Sequence, residues 1–420
     1  MSESIKLYNQ LAKDKLFKKT INFDLKRIRL ILKKLDHPEK KLKNVINVIG
    51  SDGKYSLLTS LKYFIEANNQ ITTAYISPSI QDIRERFWMG EDFLSHEDIE
   101  KTIKIIKNQK VKLTVFEALT VIFILNAAKK DSDYNLIEAG ALFAKDSTNI
   151  FDFPKIQAVV NINKQHLNFL KKKTLNEVIF QKVGFLSNFT NIYVSKQKNK
   201  VLKRIKKILK KNSSFKIYPD TWNLIKIDNK YYFKNKKTKI KLNTKYVHSR
   251  GLLENLCFAI KIALDLKINK KIILKTIPKI KFKARIEYID KGKLIRKINN
   301  NEKLLVDGCH SETSAKNLAD YLKTLKVPAY GIWAMTKNKD PNRFIKQFKG
   351  IFKKIITINI ENESASLSNK LLFKIAKKNN FIVETAESFD KALKKLSSKE
   401  KKILVCFGSL YSAGKILNKN

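Results

Sequence analysis

A short, mostly apolar run, Val45-Ile46-Asn47-Val48-Ile49, leads into Gly50-Ser51-Asp52-Gly53-Lys54-Tyr55-Ser56. The helix-compatible Leu57-Leu58-Thr59-Ser60-Leu61-Lys62-Tyr63-Phe64 follows at once. Strand, glycine loop and helix in that order form a cradle for phosphate, because glycines let successive N–H groups turn inward at a helix N-terminus. A lysine in such a loop reaches the terminal phosphates and a hydroxyl can meet Mg²⁺. The spacing is G-x-x-G-K-x-S, with Tyr55 inserted between the lysine and the hydroxyl. Alone, so short a run is more often a turn than a nucleotide site, and the flanking strand and helix decide for the site. Lys54 is expected to project into solvent-filled space, and Tyr55 to take an ordinary helical conformation.

The 420 residues suffice for two or three domains with real cores. A hydrophobic content of 43% with only 7 prolines argues for a folded chain and against disorder. The net charge of +48 would suggest a nucleic-acid partner. However, the excess is mostly lysine spread from end to end, beside abundant isoleucine and asparagine, as an A/T-rich coding sequence produces. No specific nucleic-acid partner is expected, though polyanions should bind at low salt. Cys257, Cys309 and Cys406 lie far apart, which argues against a disulfide framework or a zinc site. Met1–Lys6 has no apolar core of signal-peptide type. The longest apolar stretch, Val115 to Ala128, contains Glu117 and falls short of the roughly 20 residues that span a bilayer. A cytoplasmic monomer without membrane contact is the expectation.

Residues 1–44 read as helical and basic. Strand runs at Val45–Ile49, Thr72–Ile76, Tyr134–Glu138, Ala158–Ile162 and Ile192–Val194 alternate with amphipathic segments, which predicts a mainly parallel sheet with helices on both faces. Residues 195–247 suggest a peripheral β segment, and a helix is expected over Leu252–Leu266. Further strand runs at Leu304–Val306, Ala329–Trp333, Ile355–Ile358 and Ile403–Phe407 predict a second, Rossmann-like α/β domain. The expected division is 1–283 and 284–420. Ligands in such sheets sit beyond the strand ends. Glu138 ends one run and could hold Mg²⁺ there, or be a solvated strand end. His166 follows another; a lone histidine is more often a surface or core residue. Thr114 and Phe116 could equally be ordinary helix packing.

Gly50, Gly53, Lys54 and Ser56 match the G-T-N-G-K-G-S loop of the folylpolyglutamate synthase/dihydrofolate synthase family, a branch of the Mur-type ATP-dependent ligases, with Ser51, Asp52 and Tyr55 replacing Thr, Asn and Gly. Further fragments follow in family order. Tyr75-Ile76-Ser77-Pro78 resembles Y-T-S-P and Arg84-Glu85-Arg86 resembles N-E-R. Leu113–Thr120 resembles L-T-x-F-E-x-L-T, and Asp146-Ser147-Thr148-Asn149 resembles D-A-T-N. Asn161–His166 is similar to T-N-I-G-L-D-H, Gln181–Gly184 to E-K-A-G, Ala284–Glu287 to G-R-L-E, Asp307–His310 to D-G-A-H, and Gly408–Gly414 to G-S-L-Y-x-x-G. Departures include Ala141-Leu142-Phe143-Ala144 for L-G-G-R and Ser311-Glu312 for N-P.

The resemblance implies a P-loop Mur-ligase-type ATPase domain followed by a smaller Rossmann-like domain. It implies an acid–amino acid ligase that joins L-glutamate to dihydropteroate or a reduced folate through an acyl phosphate. Gly50 to Ser56, Asn255, Arg285 and Asp307 would bind ATP. Ser56, Ser77, Glu138 and His166 would hold one or two Mg²⁺ ions. Lys182 would carry a carbamate, Thr114, Phe116 and Asp146 would meet the folate, and His310, Ser409 and Tyr411 the glutamate. Lys54, Lys182, Arg285 and His310 would act in catalysis. Two alternatives stay open: another Mur-type amide ligase, and a degenerate, non-catalytic relative.

Overall fold

Val45–Ile49 is buried at every position, as its composition requires of a strand covered on both faces. The computed structural model describes residues 14–18, 23–210 and 215–420, together with Leu7 and Leu11. Met1–Lys6 and part of the helical stretch expected over 1–44 lie outside the described residues. Within that stretch Phe17–Lys18 is a strand (β1), and Leu25–Lys34 is a helix capped by the Asp24 side chain that buries Ile28, Ile31 and Leu32.

The chain divides into two compact units, Met1–Asn243 with Leu253–Ile280, and Thr244–Leu252 with Lys281–Asn420. The first unit holds a seven-stranded sheet. Its strands are β2 (Val45–Ile49), β3 (Thr72–Tyr75), β4 (Phe87–Met89), β6 (Tyr134–Glu138), β7 (Ile156–Val159), β8 (Asn191–Val194) and β9 (Phe215–Ile217), while β5 (Leu113–Thr114) pairs separately with β1. The order is β4-β3-β6-β2-β7-β8-β9, parallel except for the edge strand β4. Register puts Val45, Ile49, Ile137, Val159 and Val194 on one face, where they join two apolar clusters built with the covering helices. The alternate positions Ile46, Val48, Leu136 and Ala158 are equally buried, and the helix Lys54–Ala67 packs against β2, β3 and β6.

Two expectations shift. The run expected as Ala158–Ile162 is a strand over Ile156–Val159, because Asn161 leaves the ladder to bond the glycine loop. The segment expected as wholly β after residue 195 begins with a helix, Asn199–Leu209, which buries Val201, Ile205 and Leu209 at i, i+4 and i+8. Beyond it β10 (Asn223–Ile227), β11 (Lys230–Lys234) and β12 (Lys239–Lys241) form a separate antiparallel sheet.

The second unit holds a six-stranded sheet of β13 (Glu287–Ile289), β14 (Glu302–Val306), β15 (Ala329–Trp333), β16 (Phe352–Thr357), β17 (Val383–Thr385) and β18 (Lys402–Phe407), in the order β13-β14-β18-β15-β16-β17. Only β13 runs antiparallel to its neighbour. Trp333, Phe344, Phe348, Phe352 and Phe407 pack ring against ring in its core. Thr244–Leu252 is held here by Asn317, whose side chain accepts from Gly251 N and donates to Ser249 Oγ, and by His248 packed on Tyr288 and Tyr321.

Candidate active site

In the first unit the loop Gly50–Gly53 leaves the central strand β2 and enters the helix Lys54–Ala67. Two left-handed positions shape it, Gly50 at φ +147° and Gly53 at φ +99°. A Cβ on Gly50 would stand 2.4 Å from Val160 Cγ2, and one on Gly53 would stand 2.6 Å from Asn255 Nδ2. Glycine is required at both by backbone and by space. Tyr55 lies inside the helix, so the residue inserted into the motif carries none of the left-handed backbone.

Asn255, far along the chain on the helix Arg250–Asp265, donates to Ser56 Oγ at 2.9 Å. Ser56 Oγ in turn donates to Gly53 O at 3.0 Å, which leaves an oxygen lone pair for a further ligand. Lys54 does not project into open solvent as its sequence context suggests. Its side chain is 11% exposed, with Nζ 3.7 Å from Glu138 Oε1 and 3.3 Å from Ser51 O. The nearby carboxylate draws the ammonium inward. Glu138, buried at the end of β6, also accepts from Ser77 N at 3.2 Å. Strand order explains the meeting, since β6 lies between β2 and β3 and all three are parallel.

Lys182 is buried on the helix Leu175–Val183 and donates to Gly50 O at 2.7 Å and to Ala141 O at 2.5 Å. Burial, reinforced by the charge of Lys54, brings its amine down to about 7. Asp146 is fully buried and braces the loop after β6. Its carboxylate accepts from Gly140 N, Ala141 N, Thr148 N and Thr148 Oγ1 at 2.7–3.2 Å, while burial pushes it above the usual carboxylate range. Thr114 caps the helix Val115–Ala127 in a reciprocal box with Glu117, and Glu117 is paired with Arg27. Phe116 is half-buried against Tyr75 and lies close to Gly140. His166 has a left-handed backbone, φ +60°, and its ring stacks with Phe169.

The structure therefore gathers Lys54, Ser56, Ser77, Glu138, Lys182 and Asn255 around the glycine loop. Among the described residues no group of three or more His, Cys, Asp or Glu side chains is arranged to hold a metal ion. Mg²⁺ still suits this chemistry, because it binds through one or two carboxylates and completes its shell with water and phosphate oxygens. The buried Glu138 carboxylate and the Ser56 hydroxyl are such hard oxygen donors. Asn163 and Gln165 were missed by sequence reading although they touch the loop: their side chains donate to Asp52.

In the second unit Asp307 follows β14 and is buried. It accepts from Ile286 N at 2.8 Å and Cys309 N at 2.7 Å. Burial raises its carboxyl, opposed by the charge of Arg285. Arg285 sits between Ala284 and Ile286, both with left-handed backbone (φ +52° and +51°), and donates to Ala284 O. A β-branched residue rarely adopts that conformation, so the turn presenting Arg285 is held under strain by Asp307. His310 Nδ1 lies 2.9 Å from Gly308 O. Ser409 caps the helix Leu410–Leu417 by accepting from Tyr411 N, and Tyr411 is 50% exposed.

Residues 290–419 match the family model described as dihydrofolate synthetase, C-terminal domain. The dihydrofolate synthase/folylpolyglutamate synthase of Buchnera aphidicola is 23% identical over 415 residues, covering 96% of this chain and 94% of that protein. The structure of Escherichia coli FolC in complex with DHPP and ADP superposes with a TM-score of 0.86 at 18% identity, over 98% of this chain and 97% of that one. A bifunctional folylpolyglutamate synthase/dihydrofolate synthase from Yersinia pestis, complexed with AMPPNP and Mn ion, gives a TM-score of 0.84 at 16% identity, over 100% and 98%.

Proposed function

We propose that this chain, which belongs to the dihydrofolate synthase/folylpolyglutamate synthase family, uses ATP to ligate L-glutamate to dihydropteroate, to reduced folates, or to both. The observation that carries the reading is Lys54 at the end of a glycine loop, 3.7 Å from the buried Glu138. The acceptor's carboxylate oxygen attacks the γ-phosphorus, forming an acyl phosphate and releasing ADP. The glutamate amine then adds to the acyl carbon, loses a proton, and expels inorganic phosphate as the amide forms.

Negative charge shifts among the phosphate oxygens in the first step, and fixed cations lower its cost. Lys54 is assigned to those oxygens. Glu138 and Ser56 would hold Mg²⁺, which supplies further neutralisation when bound, with Ser77 and His166 as the remaining candidate ligands. Asn255 fixes the Ser56 hydroxyl. Asp146 holds Gly140 and Ala141 and so shapes the wall to which Phe116 and Thr114 belong, the proposed folate side. Arg285, presented on its strained turn, is assigned to phosphate oxygens with Asp307 as its support, and His310, Ser409 and Tyr411 to glutamate. The same reading expects a cytoplasmic monomer, supplied with small-molecule substrates.

Incorporation of labelled glutamate, with dihydropteroate and tetrahydrofolate supplied separately, tests the reading. ATP-dependent product with at least one acceptor is expected; none with either would end it. Glu138→Gln keeps an acceptor for Ser77 N and removes the charge. It should raise the Mg²⁺ concentration for half-activation by on the order of tenfold or more. An unchanged Mg²⁺ titration would remove Glu138 from the metal's surroundings.

A further inference from the structure

The glycine loop is zipped along one edge to the segment Asn161–Gln165. Ser51 N and Asp52 N both donate to Asn161 O, at 2.8 and 3.3 Å, and Asp52 and Asn161 form an antiparallel bridge. Ser51 Oγ accepts from Asn163 N at 3.1 Å and donates to Asn163 O at 3.3 Å. The Asp52 carboxylate closes the zipper: its Oδ2 accepts from Asn163 Nδ2 and from Gln165 Nε2, the latter at 3.1 Å. The next residue is His166.

A carboxylate in a phosphate loop would repel the nucleotide if it faced the phosphates. Here Oδ2 is instead occupied by two side-chain amides from a different segment, and hydrogen bonds to an ionised acceptor are the stronger kind. We infer that Asp52 is a positioning residue, which clasps the Asn161–His166 segment to the phosphate loop and thereby sets where His166 stands beside the nucleotide. The role of His166 rests on the function proposed above, whereas the clasp is independent of it. Both amides meet the same oxygen, so an asparagine with its carbonyl there keeps both bonds, and an alanine keeps neither.

The test compares Asp52→Ala and Asp52→Asn with the wild type in two readouts. Hydrogen exchange of the ligand-free protein follows the peptide spanning Asn161–His166. Asp52→Ala should speed its exchange by roughly tenfold, the effect of losing hydrogen bonds to a charged group, and Asp52→Asn should stay within about threefold of wild type. In the ligase assay Asp52→Ala should lower kcat and raise the Mg²⁺ needed for half-activation, each by about tenfold, with the KM for ATP within about threefold. Asp52→Asn should restore both. Wild-type exchange in Asp52→Ala, or equally fast exchange in the asparagine variant, would overturn the clasp. So would a clear gain in ATP affinity in Asp52→Asn, since it would mean that the carboxylate faces the phosphates. Should Asp52→Ala fail to fold, the Asn163→Ala/Gln165→Ala double variant removes the same bonds from the other side and must show the same loss. A wild type without ligase activity would defeat the functional reading while leaving the exchange result to decide the clasp.

Discussion

Lys54→Ala is expected to lower kcat for ligation by at least about a hundredfold, because it removes the fixed cation assigned to the γ-phosphoryl oxygens. The structure adds a second consequence. The Lys54 ammonium lies 3.7 Å from Glu138 Oε1, and both side chains are largely buried. The alanine variant removes a buried charge-assisted contact, at a cost on the order of 1–3 kcal/mol of folding stability. A lowered thermal midpoint should therefore accompany the lost activity. The double variant Lys54→Ala/Glu138→Ala should recover much of the midpoint and none of the turnover. Thermal unfolding and steady-state kinetics on the three proteins separate the two effects, and near-normal turnover by Lys54→Ala would end the enzymatic reading of this loop.

Lys182→Ala should abolish ligation to a similar degree. The buried amine donates to Gly50 O and Ala141 O, and burial together with Lys54 brings it down to about 7. Near pH 8 it is therefore mostly the neutral amine, which satisfies both carbonyls and keeps a lone pair. That form can add CO₂, forming an N–C bond and releasing a proton, so the chemistry of the proposed carbamate is available here. Bicarbonate should stimulate CO₂-depleted wild type and leave Lys182→Glu unaffected. Full activity of Lys182→Ala would remove Lys182 from the mechanism.

The same group predicts a pH dependence of stability. Above about 10.5, the ordinary lysine value, the amine is neutral in both folded and unfolded chains and titration favours neither. As pH falls from there toward 7 the unfolded chain takes up a proton that the buried amine refuses, so stability is lost progressively. Below 7 both forms are protonated and the loss stays constant. Measured against Lys182→Met, the wild type should lose relative stability between pH 10.5 and 7; a pH-independent difference would contradict the buried neutral amine.

The strand–loop–helix around Gly50–Ser56 was legible in the sequence because all its determinants are local: an apolar strand, two glycines with left-handed backbone, and a helix start. The β6 glutamate was legible for the same reason, as a charge closing an apolar run. What the sequence hid depends on residues distant along the chain. Asn163 reaches Asp52 across 111 positions, and no periodicity records such a meeting; Asn255, which bonds Ser56 across 199 positions, was reached only through the family resemblance. The buried pairing of Lys54 with Glu138 was hidden likewise, since it follows from the strand order β3-β6-β2 and not from the loop itself. The short edge strands β4, β13 and β17 escaped notice because three residues carry too little alternation to stand out from a loop.

The central claim, glutamate ligation through an acyl phosphate, is tested most directly by isotope transfer. The folate-type acceptor is prepared with ¹⁸O in its reacting carboxylate and incubated with ATP, Mg²⁺ and L-glutamate. The account predicts one ¹⁸O in the inorganic phosphate for each amide bond formed. Amide product accompanied by unlabelled phosphate would contradict it.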